Sequence, residues 1–232
     1  MAFSFKKFHC DDSRCGMKIS TDGVLLGAWA ECYGSKVADL GAGSGLVSLM
    51  IAQRFPDVRI TALEIDPEAC KDAEYNISNS PWTERISVRC MDFADWTPDD
   101  RFDAVVSNPP FFSSTLRSTD SARALARHID SGFSYTSLIR RADEMLTDNG
   151  ILSMILPADC EDDVIFTAEM NRMKLHRLCR VSTLEGRSPL RILVELGRHD
   201  TTPQITGLEI RDSSNNHTVE YRSLTRDFYL NF

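Results

Sequence analysis

Short apolar runs closed by a glycine or a carboxylate alternate with longer mixed stretches along the chain, and this rhythm predicts strand following helix from residue 22 onward. A helix is predicted near residues 22 to 30, then a strand over 36 to 40 that enters a glycine-rich turn. Residues 46 to 54 suit a helix packed on a sheet, and residues 58 to 64 a second strand. Asp66 before Pro67 marks a helix start, with the carboxylate as N-cap and proline at the first helical position, running towards Asn79. Strands follow at 86 to 90 and 103 to 107. The segment from Ser113 to Ser131 is polar and rich in serine and arginine; its length reads as a binding loop or a partly disordered connection. An amphipathic helix is predicted over 135 to 146, a strand over 151 to 156 and a helix over 161 to 173. Residues 175 to 181 and 192 to 196 read as an antiparallel closing pair, and 205 to 221 as a hairpin turning at Ser213-Ser214-Asn215-Asn216. Such alternation implies an α/β fold: a mostly parallel, seven-stranded sheet with an antiparallel closing strand and helices on both faces. One folded unit is expected, with a flanking segment (1–35), a core (36–200) and a C-terminal hairpin appendage (201–232).

The candidate chemistry lies where strands end. Gly41, Gly43 and Gly45 permit unusual φ and close backbone approach, but their spacing is not the Gly-x-Gly-x-x-Gly of dinucleotide enzymes, which argues against NAD. Glu64 closes the next strand about 20 residues on, where a carboxylate can accept from both hydroxyls of a ribose. Asp92 follows the third strand and can accept from an adenine amino group beside Met91 and Phe93. With Asp39, these acids suit a ligand bearing a cation, an amine and hydroxyls but no phosphate, which describes S-adenosylmethionine. Asp39 has a blander reading, as a brace for the turn. The strand over 103 to 107 runs into Asn108-Pro109-Pro110-Phe111. There an amide oxygen and the following carbonyl can accept both protons of a planar amine, two prolines stiffen the turn, and Phe111 offers an aromatic face.

Composition narrows the class. The chain has 232 residues, 42% of them hydrophobic, enough for one sizeable core. No opening leader or membrane span is evident, so a soluble, cytoplasmic, monomeric protein is expected. The seven cysteines are scattered without a Cys-x-x-Cys pair, and no metal site is expected. A net charge of −8 argues against indiscriminate nucleic-acid binding. Distribution matters more: residues 172 to 198 hold seven cations against two carboxylates, and Arg117, Arg123 and Arg127 face only Asp120 in the loop, whereas residues 57 to 103 carry twelve acids and five bases. Strand alternation would split the 172 to 198 arginines between faces, so the loop arginines are the better candidates for phosphate contacts.

Together, the glycine motif, the acidic strand ends and Asn-Pro-Pro-Phe resemble class I S-adenosylmethionine-dependent methyltransferases, Rossmann-like enzymes, specifically those acting on exocyclic adenine amines. Phe3-Ser-Phe-Lys-Lys-Phe8, the block from Met17 to Trp29, Asn76-Ile-Ser-Asn-Ser-Pro81-Trp82 and the closing Leu224 to Leu230 are similar to bacterial tRNA1(Val) adenine-37 N6-methyltransferases. That resemblance places Lys18, Thr21 and Asp22 by the methionine part of the cofactor. Thr21 or Asp22 capping the helix through Trp29 is an equally physical reading. It also implies tRNA as partner, with an anticodon-loop adenine entering against Phe111 at little unstacking cost, and Arg117, Arg123 and Arg127 on phosphates. None of the five histidines is needed as a base. A protein glutamine N5-methyltransferase, or an adenine methyltransferase for ribosomal RNA or DNA, uses a comparable Asn-Pro-Pro turn and remains the alternative.

Overall fold

A computed structural model describes residues 2–110 and 134–231. Its elements are β1 (Ala2–Ser4), β2 (His9–Asp11), α1 (Thr21–Trp29), β3 (Lys36–Leu40), α2 (Leu46–Arg54), β4 (Arg59–Glu64), α3 (Pro67–Ser78), β5 (Ile86–Cys90) and β6 (Phe102–Ser107). After the undescribed stretch come α4 (Tyr135–Met145), β7 (Leu146–Pro157), α5 (Glu161–Met170), β8 (Lys174–Ser182), β9 (Arg191–Gly197), β10 (Gln204–Glu209) and α6 (Val219–Thr225). β1 and β2 pair with each other, while the other eight strands described form one sheet in the order β10-β8-β9-β7-β6-β3-β4-β5. Only β9 runs antiparallel within it.

Period-two alternation divides the sheet's apolar residues between two cores. Val37, Ile60, Ala62, Ala104 and Val106 pack beneath α1, α2 and the inward side of α3. Ala38, Leu40, Leu63, Val105 and Leu152 pack under α4 and α5. Close packing of α1 on α2 depends on Gly27, where an added Cβ would lie 2.8 Å from Met50. Met50 is fully buried, and burial of such a side chain stabilises the fold by ~1.5–3 kcal/mol. Arg54 ends α1 by donating to the carbonyls of Gly27 and Ala30, satisfying acceptors that have no partner inside the helix. Asp66 caps α3 as predicted, accepting from the Glu68 amide at 3.0 Å with Pro67 at the first helical position.

Four expectations change. The sheet has eight strands rather than seven, because residues 204 to 209 join it as an edge strand parallel to β8. The hairpin over 205 to 221 is therefore absent: its first arm pairs with β8, and a single bridge, Arg211 to His217, closes the turn. Its second arm is helix, started by Thr218, whose hydroxyl accepts from the Tyr221 amide. The last strand before the closing pair also starts earlier, at Leu146, while α5 stops at Met170.

Candidate active site

Parallel strands β3, β4, β5 and β6 deliver their C-terminal ends to one edge, the place where open α/β sheets bind ligands. At β3 the chain turns through Gly41, Gly43 and Gly45, all in the left-handed region with φ of 75°, 55° and 79°. The amides of Gly41 and Ala42 donate to the Leu63 carbonyl, fastening the turn to β4. A Cβ on Gly43 would meet nothing within 4 Å, so the backbone there borders open space. Glu64 spans the gap: one carboxylate oxygen accepts from the Gly43 amide at 2.8 Å, the other from the Asp66 amide at 2.9 Å. Each oxygen retains a lone pair for a hydroxyl donor.

Asp39 does not share this crevice edge. Period two puts it with Val37 on the face under α2, where its carboxylate is 1% exposed and accepts from the Ser48 hydroxyl at 2.6 Å. Burial raises its pKa to about 6, against the lowering effect of the Ser48 hydrogen bonds. Among the two readings of Asp39, this geometry is that of a brace beneath the turn. Asp92 lies half-buried beyond β5 and holds its own turn by accepting from the Ala94 amide at 2.8 Å. Phe93 points into the core under α4, leaving Met91 as the apolar neighbour at that edge.

At the end of β6, the Ser107 hydroxyl donates to the Leu40 carbonyl at 2.7 Å, binding the exit of β6 to that of β3. The next residue, Asn108, meets the first turn of α1: a Cβ on Gly23 would stand 3.8 Å from its Nδ2. Its Oδ1 is buried without a hydrogen-bond partner among the described residues. Leaving such an acceptor unmade costs ~1–3 kcal/mol, and polar groups kept in that state call for a functional account. Pro109 is buried and Pro110 half-buried. Phe111, Arg117, Arg123 and Arg127 lie outside the described residues.

The N-terminal candidates divide. Lys18 donates to the carbonyls of Asp12 and Ser13, so it closes its own loop, and Thr21 is exposed at the first position of α1. Neither Thr21 nor Asp22 caps that helix. Ser20 occupies the cap position without a side-chain hydrogen bond, and Asp22 accepts from Arg191 Nε at 2.8 Å. Arg191, at the start of β9, thus ties that strand to the first turn of α1. Sequence reasoning placed it only in a basic stripe, since its partner is 169 residues away.

The basic stripe itself is largely spent inside the fold. Six of its seven cations are ion-paired: Arg172 and Arg198 with Asp143, Lys174 with Asp200, Arg177 with Glu195, Arg180 with Glu161 and Arg191 with Asp22. Arg177 also lies 4.0 Å from the Trp29 ring centroid. Burial pushes the Cys10 thiol up to about 12 and raises Cys15 further, so neither is an activated nucleophile. Among the described residues no helix is long and apolar enough to cross a membrane.

Comparison with known proteins agrees with this geometry. The methyltransferase small domain family matches residues 20–176. The tRNA1(Val) (adenine(37)-N6)-methyltransferase of Vibrio campbellii is 40% identical over 98% of this chain and 95% of its own length. Its counterpart in Bacteroides thetaiotaomicron is 39% identical, over 98% and 97%. Among solved structures, a predicted O-methyltransferase from Agrobacterium tumefaciens superposes with a TM-score of 0.67 at 20% identity, covering 89% of this chain and 96% of that one. Pyrococcus horikoshii TYW2, solved in complex with MeSAdo, superposes with a TM-score of 0.56 at 16% identity, covering 83% and 68%. With its sheet order, glycine turn, acidic strand end and Asn-Pro-Pro exit in the same register, the chain belongs to the methyltransferase small domain family, among the S-adenosylmethionine-dependent tRNA1(Val) (adenine(37)-N6)-methyltransferases.

Proposed function

We propose that this protein methylates the exocyclic N6 amine of an adenine in tRNA, adenine 37 beside the anticodon of tRNA1(Val). The observation that carries the reading is the buried Asn108 Oδ1 at the exit of β6, without a hydrogen-bond partner among the described residues. An acceptor in that position suits a substrate N–H, and the Pro109 carbonyl, in a turn stiffened by two prolines, would accept the second proton.

S-adenosylmethionine fits the residues present: Glu64 and Asp92 offer acceptors to hydroxyls and an amine, and carboxylates at the crevice would repel a pyrophosphate. When bound, this cofactor supplies a methyl group already activated on a sulfonium sulfur. What remains for the chain is orientation. Glu64 would hold the ribose, Asp92 the adenine amino group, and Gly41, Gly43 and Gly45 would let the backbone come close. Lys18 acts through its loop, and Asp39 through the turn it braces. Asn108 and Pro109 would draw both protons of the substrate amine and favour its tetrahedral form, with Pro110 stiffening the turn and Phe111 stacking on the base. Alignment of two bound reactants can lower a barrier by several kcal/mol, up to ~7–11, without a general base. Arg117, Arg123 and Arg127 would contact phosphates.

The test is methyl transfer from labelled cofactor to purified tRNA, followed by nucleoside mass spectrometry. N6-methyladenosine at position 37 is expected, and a transcript with guanine at 37 should take no label. Label that survives ribonuclease and stays with protein would replace this reading with the glutamine one.

A further inference from the structure

The glycine turn is fixed from β4 by Glu64, but a second attachment comes from α3. Asn76, 1% exposed, accepts from the Asp11 amide through Oδ1 at 2.8 Å and returns a hydrogen bond from Nδ2 to the Asp11 carbonyl at 2.7 Å. A side-chain amide thus pairs with both backbone groups of one β2 residue as a neighbouring strand would. The second Nδ2 proton reaches the Ser44 carbonyl at 2.9 Å, inside the glycine turn. The fully buried Cys10 thiol packs into the same junction, 3.5 Å from the Ser44 hydroxyl and 3.4 Å from Asn76 Nδ2.

We infer that Asn76 is a positioning residue: it makes the N-terminal strand β2 and the glycine turn one rigid unit, and so sets the orientation of the Gly43 backbone towards the cofactor. An amide is the side chain this junction requires. Three bonds are needed, one accepted and two donated, and a carboxylate of the same shape would set an oxygen against the Ser44 and Asp11 carbonyls. Because Ser44 lies between Gly43 and Gly45, both at positive φ, the turn's peptide planes have little side-chain packing of their own to hold them. The carbonyl anchor supplies it. Asp72, one turn earlier on α3 and fully buried, accepts from the Arg14 and Cys15 amides and fastens the next stretch of the same N-terminal segment, without touching the turn.

The inference rests on the glycine turn being the cofactor cradle. Its test is calorimetric titration of wild type, Asn76→Ala and Asn76→Asp with S-adenosylmethionine, with kinetics on tRNA and thermal unfolding alongside. Asp143→Asn serves as a control for lost stability alone, since the buried Asp143 is ion-paired with Arg172 and Arg198 at the opposite end of the sheet. Cofactor Kd and KM should rise about tenfold or more in both Asn76 variants, while KM for tRNA and kcat at saturating cofactor hold. Asp143→Asn, assayed equally far below its Tm, should bind cofactor like wild type. If wild type binds cofactor and folded Asn76→Ala binds it equally well, or if Asp143→Asn loses the same affinity for the same fall in Tm, Asn76 is structural and the inference fails. If wild type itself does not bind, it is the cradle assignment that fails.

Discussion

Replacing Asp39 by asparagine should change how stability depends on pH, and the size of the change follows from the burial of one carboxyl group. The group has no solvent exposure beyond 1%, and its pKa stands at about 6 against an ordinary 3.8. A raised folded-state pKa means that the native protein holds a proton which the unfolded chain has released, so stability falls as pH rises between the two values. The stabilisation is fully present below about pH 4 and lost as pH climbs through about 6. Two pKa units correspond to about 3 kcal/mol. Asparagine has nearly the same shape, its oxygen can still accept from Ser48, and it has no charge to desolvate. Urea unfolding of wild type and Asp39→Asn from pH 4 to pH 8 is the assay. The stability of the variant relative to wild type should increase by about 2–3 kcal/mol across that range. Parallel profiles would show that Asp39 is not a buried carboxyl group that charges within the fold, and would return it to the open crevice.

Asn108→Ala should abolish methyl transfer while cofactor affinity by calorimetry stays near wild type, since the lost acceptor faces the substrate amine; normal single-turnover rates on saturating tRNA would contradict this. Glu64→Ala should weaken cofactor at least tenfold and lower stability by ~1–3 kcal/mol, because the Gly43 and Asp66 amides lose their acceptor; titration and urea unfolding read the two effects separately, and unchanged cofactor affinity in the folded variant would defeat the ribose assignment. A triple Arg→Gln variant at 117, 123 and 127 should flatten the slope of log tRNA affinity against log salt by up to ~2–3, whereas Arg180→Gln, whose guanidinium is already bidentate on Glu161, should leave that slope unchanged.

Local signals carried much of the architecture. β3 and β5 match their predicted bounds, and β4 begins one residue late, because each is a short apolar run ended by a turn residue or a carboxylate. Asp66-Pro67 named its helix start for the same reason: an N-cap needs only the residues next to it. The site's outline was legible too, since the glycine turn, Glu64 and Asn108 each follow a strand and parallel strands must end together. What sequence could not give is which group each side chain meets. Strand alternation alone turns Asp39 towards one face, but only the seating of α2 puts Ser48 over it and takes the carboxylate out of the crevice. Residues from 205 onward read as a hairpin arm, yet the partner of that strand was set by an open sheet edge at β8, 27 residues back along the chain, in preference to the local hairpin. The arginines of 172 to 198 could be counted as free charge from the sequence. In the fold they find carboxylates on α1, α4, α5 and β9, because Coulomb attraction acts between neighbours in space, and chain folding chooses those neighbours.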